Sequence, residues 1–217
     1  MTAHLLRLGR MEYAACTDLQ RRVLEAVAAG ERPPTLILVE HDPVLTLGAD
    51  FHDEHLLLDA QGYAERGIAL HRTDRGGDVT YHGPGQLVLY PVFRVSDFYK
   101  DLHRYLRDLE EAVIRGIAEW NLEGVRFPPH TGVWVEGRKL AAIGIRVRRW
   151  TSMHGIALNC SNDLAAFDTI VPCGIRDYGV TSLTELVGRP VGIEDAEGPL
   201  VRGFESVFGM RFEEQAS

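Results

Sequence analysis

Between Phe98 and Ile117 the apolar residues recur at steps of three and four: Phe98, Leu102, Tyr105, Leu106, Leu109, Val113 and Ile117. That period lines them along one stripe of a helix, with Ser96 or Asp97 positioned to cap it. A helix with so wide an apolar stripe needs a partner surface to bury it. The flanking chain offers strands. Thr35–Glu40 is a compact apolar run of strand length, Val44–Gly48 is another, and strands follow near 68–72, 77–82 and 86–94. After the helix come strands near 132–136, 139–147 and 153–160, with Gly137 at a hairpin turn between the first two.

Residues 4–8 read as a short strand, and 11–29 as a helix with Cys16, Leu19, Val23 and Val27 on one stripe and Gly30 as its stop. Pro33-Pro34 breaks the chain, 51–66 accommodates a short helix, and 161–182 is loop-rich. A last helix over about 197–208, with Pro199 near its first turn, precedes a strand at 210–213. Helix, strands, helix, strands, helix is the order of an α+β fold. The expectation is a mixed sheet flanked by helices, in a single domain spanning 1–217.

Composition removes several classes of function. No run of 18 apolar residues occurs, so no membrane span is expected. The first residues lack a basic start with a long apolar segment behind it, so the expected compartment is the cytoplasm. Three cysteines, Cys16, Cys160 and Cys173, with no Cys-x-x-Cys pair, argue against a disulfide framework or a finger-type zinc site. A net charge of −8 argues against nucleic acid as a partner. Arg138, Lys139, Arg146, Arg148 and Arg149 nevertheless fall within twelve residues, either as a solvated strand edge or as a docking patch for an acidic protein.

Four stretches can carry chemistry. Arg75–Gln86 holds four glycines, which let backbone approach a ligand closely, among Arg75, Thr80, Tyr81, His82 and Gln86. It matches neither the dinucleotide fingerprint nor the phosphate loop of nucleotide triphosphatases. In Gly137–Arg146, strand alternation puts Lys139 with Ala141, Ile143, Ile145 and Val147, opposite the small residues Ala142 and Gly144. Lys139 either snorkels past the strand end or lies partly buried, where desolvation makes an amine a proton acceptor. In Met153–Cys160 the alternate face Gly155, Ala157, Asn159 is small again. Two neighbouring small faces either line a slot or pack closely on a helix.

The fourth stretch is Ile170–Ile175. Cys173 lies in a loop between a proline and a glycine, whereas Cys16 sits on a helix stripe and Cys160 shares a strand face with Ile156 and Leu158. Cys173 is therefore the candidate nucleophile. A thiol of ordinary pKa about 8.5 is roughly 3% ionised at pH 7, and a neighbouring cation that lowers it to about 7 raises the thiolate more than tenfold. His41, His52 and His55, or His71 and His82, are the candidate metal ligands; no carboxylate triad accompanies them, and no metal is expected.

Arg75-Gly76-Gly77-x-x-Thr80-Tyr81-His82-Gly83-Pro84-Gly85-Gln86 resembles the signature of the lipoyl (octanoyl) transferases, octanoyl-acyl-carrier-protein–protein N-octanoyltransferases. Arg138–Gly144, His154–Asn159 and Pro172-Cys173-Gly174 match in the same order, and the resemblance spans about 35–187. It implies the biotin and lipoate protein ligase fold. It implies that Cys173 takes an octanoyl group from octanoyl-acyl carrier protein and passes it to a lysine. The acceptors would be the lipoyl domains of 2-oxoacid dehydrogenase E2 subunits and the glycine cleavage H protein. Lys139 would lower the thiol pKa and carry protons. Arg75, Gly76, Gly77, Asp78, Val79, Thr80, Tyr81, His82, Ala142, Ile143, Gly144, Gly155, Ile156 and Ala157 would bind the acyl group. A thioester is already activated, so no cofactor is expected. The alternatives are an ATP-dependent ligase acting on a free acid, an amidotransferase between lipoyl proteins, and a non-catalytic binder of acylated proteins.

Overall fold

The computed structural model describes residues 1–171 and 179–215. Eleven strands and five helices are assigned among them. The strands are β1 Thr2–Met11, β2 Thr35–His41, β3 Val44–Leu47, β4 Ala69–Arg72, β5 Val79–His82, β6 Gln86–Val92, β7 Val125–Phe127, β8 His130–Val135, β9 Arg138–Arg148, β10 Thr151–Asn159 and β11 Arg211–Glu214. The helices are α1 Tyr13–Ala29, α2 Ala60–Glu65, α3 Leu102–Ile117, α4 Leu183–Val187 and α5 Ile193–Phe208.

Eight strands form one mixed sheet in the order β11-β1-β2-β6-β10-β9-β8-β7, and β4-β3-β5 form a small second sheet. Among the described strands, β11/β1, β1/β2 and β3/β4 pair in parallel and the other pairs are antiparallel. The fold is α+β with a mixed sheet flanked by helices. Alternation divides the large sheet's side chains. Leu36, Leu38, Leu87, Leu89, Ile156 and Leu158 join the core under α3 and α5. Ile37, Val39, Val88, Tyr90 and Ala157 face the other way, toward α1. The two helices of the first layer approach closely: a Cβ on Gly203 would lie 2.1 Å from the Ala112 carbonyl oxygen.

Two helix starts differ from the sequence reading, and two short elements were not read. Helix α3 starts at Leu102 under an Asp101 cap, not at Ser96 or Asp97. The Val95 N–H still bonds the Trp150 carbonyl (2.7 Å), so that segment remains tied to the β9–β10 hairpin as a short 3-10 turn. Helix α5 starts at Ile193, where the Asp195 carboxylate accepts from the Gly192 N–H, and Pro199 falls in its second turn rather than its first. The three-residue β7 and five-residue α4 are too short to show a period.

Candidate acyl slot and its lysine

The site begins with a defect in β9. Register against β8 runs Gly132 to Ala142 and Val133 to Ala141, then jumps to Trp134 opposite Lys139. The extra residue is a β-bulge, which reverses the alternation beyond it. Leu140 and Ala141 both enter the core. Lys139 therefore does not share a face with Ala141 and Ile143, as strict alternation predicts; it joins Ala142 and Gly144. There it is 8% exposed, with Nζ 5.6 Å from the Trp134 ring centroid, in reach of the ring's negative face. Gly132 makes room for the stem: a Cβ there would meet Lys139 Cε at 2.8 Å.

Lys139, Ala142 and Gly144 of β9 and Gly155 and Ala157 of β10 form the floor of a narrow slot that holds about 480 Å³ of empty space, its open mouth included. Gly76, Gly77, Val79, Thr80 and His82 form its roof. Of the residues expected to bind the acyl group, Arg75, Ile143 and Ile156 also line it, whereas Asp78 and Tyr81 do not. Asp78 turns to His55 Nδ1 and the His52 N–H. Tyr81 packs edge-on against Phe167, centroids 5.7 Å apart. Tyr13, Val88, Tyr90 and His154 line the slot as well. Alternation from Gln86 could have pointed to Val88 and Tyr90; Tyr13, at the start of α1, carries no sequence signal.

The roof is fixed by Arg75, whose guanidinium is buried. Nη2 donates to the carbonyls of Thr46 (2.7 Å) and Asp78 (2.7 Å), Nε and Nη2 to the Thr46 hydroxyl (3.1 and 2.9 Å), and Nη1 to the Gly76 carbonyl (3.1 Å). The Gly76 N–H bonds the Ile145 carbonyl (2.8 Å), laying the segment over β9. That is why position 144 is glycine: a Cβ would fall 2.6 Å from the Gly76 carbonyl oxygen. At Gly155 the missing Cβ makes room for the Leu89 carbonyl, 2.3 Å away, so this small residue serves sheet packing as well as the slot.

The inner end is aromatic and almost sealed: Tyr13 is 2%, His82 5%, Tyr90 3% and His154 1% exposed. Gln86 spends its amide N–H groups on the Tyr81 carbonyl and Asn159 Oδ1, so its oxygen accepts from His82 Nδ1 (2.8 Å). His41 donates from Nδ1 to the Met11 carbonyl and accepts at Nε2 from the Tyr90 hydroxyl (2.8 Å). His154 donates from Nε2 to Asp74 (2.9 Å). Burial disfavours the imidazolium, so His41 and His154 titrate below the usual histidine range and His82 falls to about 3. Between pH 6.5 and 3 the unfolded chain therefore holds a proton at residue 82 that the folded chain refuses. Stability is complete above pH 6.5 and declines on acidification. His82 alone should remove about 2–3 kcal/mol between pH 7 and 4.5. Urea midpoints at those two pH values check this: His82→Asn should show a smaller fall than the parent.

The cysteines separate as expected in part. Cys16 and Cys160 are buried in the core, and burial pushes both thiols up to about 12. Cys173 lies outside the described residues. Its flanks are held by backbone hydrogen bonds. The Val171 N–H bonds the His55 carbonyl (2.9 Å), the Lys139 N–H bonds the Gly179 carbonyl (2.9 Å), and the Thr181 N–H bonds the Lys139 carbonyl (3.1 Å).

The five cations do not form one patch. Lys139 is buried, Arg138 pairs with Glu185 at one end of β9, Arg146 pairs with Asp74, and Arg148 and Arg149 pair with Glu25 at the other end. His52 and His55 have rings 5.4 Å apart, and among the described residues no three acidic, cysteine or histidine groups converge as a metal site. No helix among them is long and apolar enough to cross a membrane.

The architecture is that of the lipoate and biotin protein ligases. A lipoate-protein ligase A bound with ATP superposes with a TM-score of 0.81 at 22% identity, covering 100% of this chain and 90% of that one. A biotin protein ligase from Aquifex aeolicus gives 0.55 at 15% identity, over 96% and 70%. The chain belongs to the family of the lipoyl protein ligase A/B catalytic domain, whose model matches residues 12–205. It is 48% identical to an octanoyltransferase of Rubrobacter xylanophilus, over 93% of this chain and 91% of that one. It is also 48% identical to one from Geobacter metallireducens, over 87% and 85%.

Proposed function

We propose that this chain, acting as one catalytic domain over 1–217 in the cytoplasm, moves an octanoyl group from octanoyl-acyl carrier protein to a lysine of lipoyl domains in E2 subunits and H protein. The observation that carries this reading is the bulge that turns Lys139 into a narrow, largely apolar slot while its own backbone holds Gly179–Thr181, the segment following Cys173. On the other side, Val171, two residues before Cys173 in the chain, is bonded to His55. The octanoyltransferase names of the relatives support the same acyl group.

In this reading the Cys173 thiolate attacks the thioester carbonyl, and the carrier's sulfur leaves with a proton supplied by the Lys139 ammonium. The acceptor amine then attacks the new thioester. The neutral Lys139 amine takes the proton this nitrogen sheds, and the Cys173 thiolate departs from the amide product. The cation beside the sulfur favours the thiolate in both halves. Gly76, Gly77, Ala142, Gly144, Gly155 and Ala157 leave space for the tail, while Val79, Thr80 and His82 bound it.

The test is intact-protein mass spectrometry after mixing with octanoyl-acyl carrier protein. An octanoyl adduct that maps to Cys173 and is discharged by an apo-lipoyl domain is expected; complex formation without an adduct would support a binder instead. Because the fold is shared with a ligase that binds ATP, free octanoate plus ATP is the second arm, and product formed without carrier protein would overturn the transferase reading. Lipoyl-protein donors in place of carrier protein distinguish the amidotransferase.

A further inference from the structure

The slot is closed at one end and open at the other. Gly76, Gly77, Ala142 and Gly144, near Lys139, are each partly exposed, whereas the far end is sealed by Tyr13, His82, Tyr90 and His154. These four come from α1, β5, β6 and β10. Three are set in sheet ladders, and their rings are tied by hydrogen bonds to Gln86, His41 and Asp74. Tyr13 differs. It is the first residue of α1, outside any ladder, and its hydroxyl bonds Thr73 at 3.3 Å. Its ring fills the space between three imidazoles, with centroids 5.3 Å from His41, 5.0 Å from His71 and 5.8 Å, stacked, from His82.

Resting on the acyl-transfer reading above, we propose that Tyr13 is the end wall that sets the length of the acyl chain. A saturated tail with its carbonyl near Lys139 runs along the small residues of β9 and β10 toward that ring. Methylenes beyond the wall have no space unless the ring moves, and the ring is braced on three sides. A pocket that cannot house one further methylene discriminates by about tenfold or more.

The experiment compares octanoyl- and dodecanoyl-acyl carrier protein as donors for the full chain, read as the ratio of their kcat/KM values. A ratio within one preparation is independent of the fraction of enzyme folded. The parent is expected to favour octanoyl by at least tenfold. Tyr13→Ala should narrow that preference at least tenfold, and Tyr13→Phe, which keeps the ring, should retain it. Tyr13→Leu reads the same ratio should the alanine variant be insoluble. A parent that accepts both chains equally, or truncated variants with the parent's ratio, would overturn the wall assignment while leaving octanoyl transfer intact. No adduct from either donor would instead remove the acyl-transfer reading on which it rests.

Discussion

Cys173→Ser is expected to transfer octanoyl groups about a thousandfold more slowly than the parent, or less. A hydroxyl is negligibly ionised at neutral pH, so a cation beside it has almost no anion to stabilise. An ester on serine is also a poorer acyl donor to an amine than a thioester. Lys139→Ala should be milder, about 10²–10⁴ in rate, the usual range for a proton-transferring group. It should also move the alkylation profile of Cys173 to higher pH, because the thiolate would lose its nearest proposed cation. Single-turnover kinetics with carrier-bound octanoate, together with iodoacetamide titration, measure both. Near-normal turnover of the serine variant would remove Cys173 as nucleophile, and an unchanged alkylation profile would separate Lys139 from it.

Gly48→Ala is the second large effect expected. A Cβ there would lie 2.1 Å from the Gly77 carbonyl oxygen and 2.9 Å from that of Asp78. Both are backbone atoms and cannot rotate aside. They are also clamped in place: the N–H groups of Gly48, Ala49 and Asp50 bond the carbonyls of Asp78, Arg75 and Gly77. One methyl group would therefore drive the roof away from β3 and strain the Arg75 bonds to Thr46. Overpacking against backbone costs about 3 kcal/mol, near the upper end for such substitutions. In a domain of this size that lowers Tm by about 6–12 °C. The displaced roof should also raise KM for the acyl donor in the fraction that remains folded. Calorimetry and steady-state kinetics on the same preparation check the two together. A Tm within a degree of the parent's would mean that the roof yields without resistance.

The long elements were legible because burial writes its period into the chain. The stripe from Leu102 to Ile117, the run of β2 and the alternation of β10 each satisfy one sheet face or one helix face. The start of α3 moved because a distant backbone group, the Trp150 carbonyl bonded to Val95, competes with helix initiation. Lys139 shows the same limit more sharply. Partial burial was one of the two readings its neighbours allowed, but its face was not readable, because one extra residue between the Val133–Ala141 and Trp134–Lys139 pairs inverts the alternation. A bulge is a property of the β8–β9 pairing and leaves no mark in β9 alone.

By itself the sequence determined the fold class, the glycine-rich stretch, the small-residue faces of β9 and β10 and the core placement of Cys16 and Cys160. Those properties depend on residue type and on spacing along one segment. Only the tertiary structure decided which way Lys139 points, that Asp78 and Tyr81 turn from the slot, and that Tyr13 lines it. Each of those depends on the packing of segments remote in the chain, and no local pattern encodes the meeting of α1 with β5, β6 and β10.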